Sequence, residues 1–422
     1  MTKMRLVSAF LLILVMSSTP FPAAAEQAAA TRNIDQTLAR SVVDRIATDV
    51  ERLRGLDFKE VVPVSVVDDD EAMAHHIKRM EDFGAIEELR QGEIVLKALG
   101  LADPDDDVMA LLTAALREQV GGFYDPSADR FYLLDDMPAV MVDMLTAHEL
   151  THALEDQYYS LDELLVTGEA DDDHLFARGS VTEGSATLLM SIYSVQAAFD
   201  QQLSQDDLMA MANVGQDAMN AMPEALLRQL MAPYVLGMSF VQGGNPMAWM
   251  ASGFPVDDVN RIYENPPLSS EQILHPEKYW DESKRDDPVS VSLGDAGSRL
   301  GKGWTREFEG VLGEINLALL VGATTPEPTN PQAVNGSLWT NRAASGWGGD
   351  RYELWTRGGK PVVLLSTVWD SDDDASEFYE ALKTPTAGKR IQGRSVVLVY
   401  GDPKSKTVDP TLAEMLREAS TP

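Results

Sequence analysis

The spacing of apolar residues along the chain predicts a largely helical first half. Apolar positions recur every three or four residues over residues 34–53 and 72–101, which is the period of an amphipathic helix. Residues 120–134 instead form two short aromatic and aliphatic runs around a turn, a pattern typical of a β-hairpin. This hairpin leads directly into a further amphipathic helix over residues 141–158.

The pattern changes from about residue 288, where strands and helices begin to alternate. The elements expected there are a helix at 304–320, strands at 351–356, 361–369 and 394–400, a helix at 372–382 and a last helix opening at Asp409. We therefore predict an α+β protein. It has an N-terminal helical segment (residues 26–117), a mostly helical region with the hairpin as a small edge sheet (118–287) and a small α+β C-terminal domain (288–422).

The first 25 residues have the three parts of a secretory signal. A basic start ending at Arg5 precedes an apolar run from Leu6 to Met16, and three alanines stand before Glu26. The apolar run is too short for a membrane span, although a membrane-anchored segment is the alternative. We expect residues 1–25 to be removed, which leaves a secreted or periplasmic protein without a membrane span.

The chain is strongly acidic, because 67 acidic residues stand against 34 basic ones and give a charge of −33 at pH 7. Such a chain is repelled by phosphate backbones and anionic lipid, so nucleic acid and membrane surfaces are disfavoured as partners. Acidic clusters such as residues 171–173 lack the spacing of a calcium loop and are expected on the solvated surface. The chain has no cysteine, so a bound metal must be held by His, Asp or Glu.

The helix over residues 141–158 carries His148, Glu149 and His152 among apolar and small residues. Residues four apart lie one above the other on an α-helix, so the two imidazoles can point at one ion. This is the H-E-x-x-H pattern, in which two neutral imidazoles hold Zn²⁺ and the neighbouring carboxylate takes a proton from water at the metal. The alternatives are a chance match and two histidines that only pack in the core. Buried imidazoles need polar partners, which favours the metal.

A third ligand is expected on a second helix, from residue 179 to about residue 200. Glu183 stands near the start of this apolar helix, where an unpaired carboxylate would be costly to bury. Gly184 lets the two helices approach closely, as an oxygen ligand at about 2.0–2.2 Å requires. Thr187, one turn on, is placed to steady the carboxylate. As alternatives, Glu183 is an acid favoured by the helix dipole, or His174 in the preceding loop is the ligand.

The stretch His148-Glu-Leu-Thr-His-Ala-Leu and the later Glu183-Gly-Ser-Ala-Thr resemble the gluzincin branch of the zincin metallopeptidases, to which thermolysin belongs. They are more similar still to exported bacterial zincins with H-E-L-T-H-A-L and E-G-x-A-T motifs. The resemblance implies that His148 and His152 are zinc ligands, that Glu149 is the catalytic base and that Glu183 is the third ligand.

Two departures limit the resemblance. A metzincin would need Gly at position 155 and His at position 158, where this chain has Glu155 and Tyr158, so that branch is excluded. Thermolysin-like enzymes have an acidic residue four positions after the ligand glutamate, where this chain has Thr187. The motif-bearing match covers residues 118–190.

His275 is the candidate for stabilising the oxyanion, because a downstream histidine has this role in thermolysin-like enzymes. The run Ser269-Ser-Glu-Gln predicts the capped start of a short helix, which His275-Pro276 ends. A tyrosine is the other candidate for the oxyanion donor. The alternative for His275 itself is a structural cap or a core contact.

The sequence thus predicts an exported zinc-dependent peptidase with a zincin-like catalytic region, acting on a peptide or protein substrate. Its alternative is a non-catalytic envelope protein, in which zinc locks two helices together and the C-terminal domain binds partners. Structural zinc sites usually have four protein ligands, so three ligands and an intact Glu149 favour the enzyme. A hydrolase of non-peptide amides fits the same residues.

Overall fold

The computed structural model describes residues 34–119, 121–137, 139–166, 171–199, 222–327 and 330–419, so the expected signal at residues 1–25 lies outside the described part. The fold is α+β, as predicted, with many helices and two small sheets. No helix in these described ranges is long and apolar enough to cross a membrane.

The first part of the chain contains the helices and the smaller sheet that surround the H-E-x-x-H motif. Its helices are α1 (Gln36–Arg54), α2 (Asp69–Phe83), α3 (Ala85–Leu99), α4 (Val108–Gln119), α5 (Ala139–Tyr159), α6 (Leu161–Val166), α7 (Asp172–Phe199), α8 (Glu224–Phe240), α9 (Trp249–Ser252), α10 (Val256–Glu264), α11 (Ser270–Leu274) and α12 (Glu277–Trp280). Its strands are β1 (Val64–Val67), β2 (Gly122–Asp125) and β3 (Arg130–Leu134).

The predicted hairpin is confirmed as β2 and β3, which pair antiparallel and lead into α5. Strand β1 was not expected, because a four-residue valine-rich run is too short to show a period in a helical neighbourhood. It pairs in parallel with β3, so the sheet order is β1-β3-β2 and β2 forms an edge. That edge runs beside α5.

The helix expected over residues 72–101 is two helices, α2 and α3. Gly84 separates them and has a φ of 75°, in the left-handed region that favours glycine. Each helix buries one apolar face, so the spacing of apolar residues continues across the break and does not reveal it in the sequence. Helix α3 also contributes Val95 and Leu99 to the core of the C-terminal domain.

Helices α5, α7 and α8 form the packed centre of the first part of the chain. Helix α1 lies against α5, and its buried residues share one hydrophobic core with those of α5, α7 and α8. Helices α7 and α8 cross at two glycines, Gly184 and Gly237. A Cβ atom on Gly184 would lie 2.6 Å from the Cα of Gly237, so only glycine permits this approach.

The C-terminal domain is a five-stranded antiparallel sheet with three helices. Its strands are β4 (Thr305–Gly310), β5 (Trp347–Arg357), β6 (Lys360–Trp369), β7 (Gly388–Gln392) and β8 (Ser395–Gly401), in the order β4-β5-β6-β8-β7. Its helices are α13 (Gly313–Leu320), α14 (Asp372–Ala381) and α15 (Ser405–Ala419). The single helix expected over residues 304–320 is therefore wrong in its first half, which forms β4 by pairing with β5. Strand β7 was also not predicted.

The start of α7 is buried against the C-terminal domain, so the expectation of a solvated acidic cluster is wrong there. Asp172 and Asp173 are only 1% and 2% exposed. An oxygen of Asp173 accepts a hydrogen bond from the Ser270 N–H at 3.0 Å. Asp350 of β5 accepts from the backbone N–H of Gly313 and so caps α13. Three buried acids, Asp172, Asp173 and Asp350, thus lie where the helix that carries Glu183 meets the C-terminal domain.

Candidate metal centre

The H-E-x-x-H motif lies in the middle of α5, which is buried almost all round. His148, Glu149 and His152 are each at most 1% exposed. The flanking residues Leu145, Ala147, Leu150 and Ala153 are fully buried, so the core holds this helix on several sides. The two histidines are one turn apart and their rings meet edge to face, with centroids 4.7 Å apart.

Three side-chain atoms of the predicted ligands converge on one point. The Nε2 atoms of His148 and His152 are 3.0 Å apart. The Oε2 atom of Glu183 lies 3.3 Å from the first and 3.5 Å from the second. One further group of His, Asp and Glu with this convergence occurs in the described part of the chain.

The dimensions and chemistry of this triangle are compatible with a bound zinc ion. Ligand atoms about 2.0–2.1 Å from a tetrahedral ion lie about 3.3–3.4 Å from each other, close to the three distances found here. Two imidazoles and one carboxylate suit zinc, whereas magnesium and calcium prefer oxygen ligands. The other carboxylate oxygen of Glu183 is buried without a hydrogen-bond partner among the described residues. A cation would compensate this buried charge.

The side chains of the triangle have shifted proton affinities. Burial lowers the pKa of His148. For His152, burial acts in the same direction, but the charge and hydrogen bond of Glu183, together with the charges of Glu149 and Glu155, outweigh it and raise the pKa to about 9. Burial alone would raise the pKa of Glu183, yet the two histidines bring it below its ordinary value. The carboxylate is therefore held in its charged form, as a metal ligand must be.

Glu183 lies three turns inside α7, because this helix begins at Asp172 rather than near residue 179. The interpretation of Glu183 as an acid at a helix start is therefore wrong. His174 lies on the first turn of α7, not in a loop, and its Nδ1 pairs with Asp171 at 2.8 Å. Thr187 makes no side-chain hydrogen bond to Glu183 among the described residues, contrary to the expectation.

Glu149 belongs to the site but not to the ligand triangle. Its Oε2 accepts a hydrogen bond of 2.8 Å from the main-chain N–H of Tyr124, on edge strand β2. Its Oε1 has no hydrogen-bond partner among the described residues. Burial raises the pKa of Glu149 to about 8, although the charge of His152 and the Tyr124 N–H act against this rise. The Tyr124 N–H thus fixes one oxygen of the carboxylate, and the other oxygen is available to accept a proton.

Tyr234 of α8 also belongs to the site, and sequence reasoning did not find it. Its ring stacks against His148 with centroids 6.1 Å apart and planes 24° apart, and it is 7% exposed. The close crossing at Gly184 and Gly237 brings α8 near enough for this contact. The signal available in the sequence was a tyrosine three residues before a glycine on an apolar helix.

His275 is placed elsewhere. It follows the last residue of α11, as predicted, and Ser269 caps the start of that helix by accepting from the Gln272 N–H. Its Nε2 lies 3.1 Å from the buried carboxylate of Glu314 in the C-terminal domain. It lines a cavity of about 730 Å³ to which none of the three ligands contributes. The structure therefore does not bring His275 together with the ligand triangle.

The second group of converging acids already contains a cation from the protein itself. Glu271, Asp286 and Asp370 all offer an oxygen to Lys278 Nζ, at 2.6, 2.7 and 3.1 Å. Asp370 directly follows β6, so this cluster ties α11 and α12 to the C-terminal domain. We interpret it as an ion-pair network rather than a metal site.

Comparison with known proteins adds one match, in the C-terminal domain. The family described as a domain of unknown function, DUF8575, matches residues 299–409, which include β4 to β8. No curated protein and no solved structure matches the chain. The matched residues do not include the ligand triangle, so the site is interpreted from its own geometry.

Proposed function

We propose that the protein is an exported zinc metallopeptidase of gluzincin type that hydrolyses peptide bonds. His148, His152 and Glu183 would hold the zinc ion, and Glu149 would be the general base. One observation carries the proposal: three buried ligand atoms of the correct types lie within 3.5 Å of one another, beside a carboxylate that is not a ligand. Three protein ligands leave a position for substrate or water, as catalytic zinc sites do.

Bound zinc would act as a Lewis acid that polarises the scissile carbonyl and lowers the pKa of water. The residues of the chain supply the remaining steps. Glu149 keeps Oε2 on the Tyr124 N–H, so its Oε1 can accept a proton from water and return it to the leaving amine. The N–H thereby holds the base in one orientation throughout the reaction.

For the oxyanion we propose Tyr234 rather than His275. The ring of Tyr234 contacts the ligand His148, whereas His275 lies beside Glu314 and away from the ligand triangle. Tyr234→Phe keeps the ring and removes only the hydroxyl. We expect it to lower kcat by about 10²–10³-fold with zinc still bound. His275→Ala serves as the comparison and should leave kcat near that of the parent; the reverse ranking would return the role to His275.

The site is closed, and this has two consequences. All four side chains are at most 1% exposed, so a peptide reaches them only after the covering elements move. The same burial favours the alternative function, a non-catalytic envelope protein whose zinc holds α5 and α7 together. The two functions differ in what Glu149 does, because a structural site does not need a base.

Replacement of Glu149 by Gln separates the two functions. The variant keeps the size of the side chain and an oxygen for the Tyr124 N–H, but it cannot accept the proton. We expect about one zinc per chain in parent and variant by elemental analysis, with turnover of a peptide library reduced by about 10²–10⁴-fold in the variant.

The matched control is Glu282→Gln, the same change at an exposed position. It should cleave like the parent. His148→Ala and His152→Ala should lose the metal. A parent that binds zinc but cleaves no peptide supports the structural alternative, and a Glu149→Gln variant as active as the parent removes Glu149 from the mechanism.

A further inference from the structure

A buried carboxylate on α5 joins four helices just beyond the ligands. Glu155 is fully buried and accepts three hydrogen bonds. Its Oε1 accepts from Arg54 Nε of α1 at 2.7 Å and from Ser185 Oγ of α7 at 2.5 Å. Its Oε2 accepts from the hydroxyl of Tyr263 of α10 at 2.6 Å. One side chain thus connects the helix of the two histidines to the helix of Glu183.

The bond to Ser185 lies close to the ligands along both helices. Glu155 is three residues after His152, and Ser185 is two residues after Glu183. At about 1.5 Å of rise per residue, the bond lies within about 5 Å of a ligand along each helix axis. Both helices are rigid over that distance, so the length of this bond limits how far Glu183 can move from the histidines.

We infer that Glu155 is a positioning residue, which fixes through Ser185 the spacing of the two helices that carry the zinc ligands. This inference rests on the proposed zinc centre. Metal sites hold their ligand distances within about 0.2 Å, so a small shift between α5 and α7 weakens binding. Glu155 is not one of the converging ligands, so it would act on the metal only through the helices.

Glu155 itself is a poor target for mutation, because its loss would leave the buried guanidinium of Arg54 without its carboxylate. Ser185→Ala is a milder test. It removes the hydroxyl that bridges α5 and α7 and keeps the ion pair with Arg54. We expect the Kd for zinc, measured by competition with a chelator, to rise by about 10–100-fold. The absorption spectrum of the Co²⁺-loaded protein should change as well.

Two controls make the test specific. Ser180→Ala is the same change at an equally buried position of α7, where the hydroxyl donates only to Phe176 O of its own helix. Tyr263→Phe removes a donor from the same carboxylate but leaves the hydrogen bond between Glu155 and Ser185 in place. Both controls should bind zinc like the parent and give its Co²⁺ spectrum.

The outcomes separate this inference from the proposed function. If Ser185→Ala binds zinc as tightly as Ser180→Ala, the positioning role is wrong. If Tyr263→Phe weakens zinc binding as much as Ser185→Ala does, the effect comes from losing any donor to Glu155 and not from the bond to α7, and the inference also fails. A parent that binds no zinc overturns the metal centre. A parent that binds zinc without cleaving peptides overturns only the peptidase proposal.

Discussion

The crossing of α7 and α8 offers a sharp test of how packing supports the site. In Gly237→Ala, the new methyl carbon would lie 3.0 Å from the Cα of Gly184 and in steric overlap with the carbonyl of Ser180. Carbon atoms prefer separations of about 3.5–4.0 Å, so the helices must part by at least about 0.5–1 Å. Neither obstacle is a flexible side chain, and the strain cannot be relieved by a rotamer change.

The magnitude follows from two opposing effects. Overpacking a dense core typically costs about 1–3 kcal/mol, and the rigid backbone places this case at the upper end. Alanine recovers about 1 kcal/mol of helix propensity relative to glycine. We therefore expect the free energy of unfolding to fall by about 2 kcal/mol. Because α8 carries Tyr234 against His148, we also expect zinc affinity to fall by about tenfold.

The assay combines denaturant unfolding of the metal-free chain with chelator competition for zinc. Gly243→Ala is the matched control, since it adds the same methyl just after α8 where no atom lies within 4 Å. Its φ of 67° costs about 1–2 kcal/mol with alanine, but zinc affinity should not change. Equal zinc affinity in the two variants would refute the link between the helix crossing and the site.

The remaining predictions concern pH and processing. Burial lowers the pKa of His76 to about 3, so its contribution to stability is present above about pH 6.5 and is lost as pH falls towards 3. The free energy of unfolding, measured in urea, should therefore fall between pH 7 and 5 by about 2 kcal/mol less in His76→Leu than in the parent. Burial raises the pKa of Asp173 well above its ordinary value, so its contribution is present below about pH 4 and declines as pH rises. Asp173→Asn mimics the neutral acid and should gain stability relative to the parent as pH rises above about 4, whereas parallel stability curves would contradict the assignment. N-terminal sequencing of exported protein should begin at or near Glu26, and an intact Met1 would contradict cleavage.

The hairpin and the helix that carry much of the site could be predicted, because the residues within each element determine its structure. The hairpin and α5 follow from short-range periodicity, and two histidines four apart on a helix must share a face. The convergence of Glu183 with these histidines was predictable from one buried acid on an apolar helix. That this geometry binds zinc and cleaves peptides stays a prediction.

Other features depend on distant parts of the chain and leave little trace in the sequence. Strand β4 forms from residues that continue into a helical pattern, because β5 supplies its partner about 45 residues later. Tyr234 reaches His148 only because two glycines on separate helices meet. The burial of Asp172 and Asp173 depends on the C-terminal domain, whereas their local sequence resembles a surface.

The hydrogen bond from Tyr124 to Glu149 has a consequence for how the chain can vary. Its donor is a main-chain N–H, and every amino acid except proline supplies one. The side chain at this position has a separate task, since its hydroxyl donates to Asp156 at 2.8 Å. Substitutions at position 124 can therefore change the contact of the hairpin with Asp156 without changing the orientation of Glu149. Only a proline there, or a shift in the register of β2 against β3, would take the donor away.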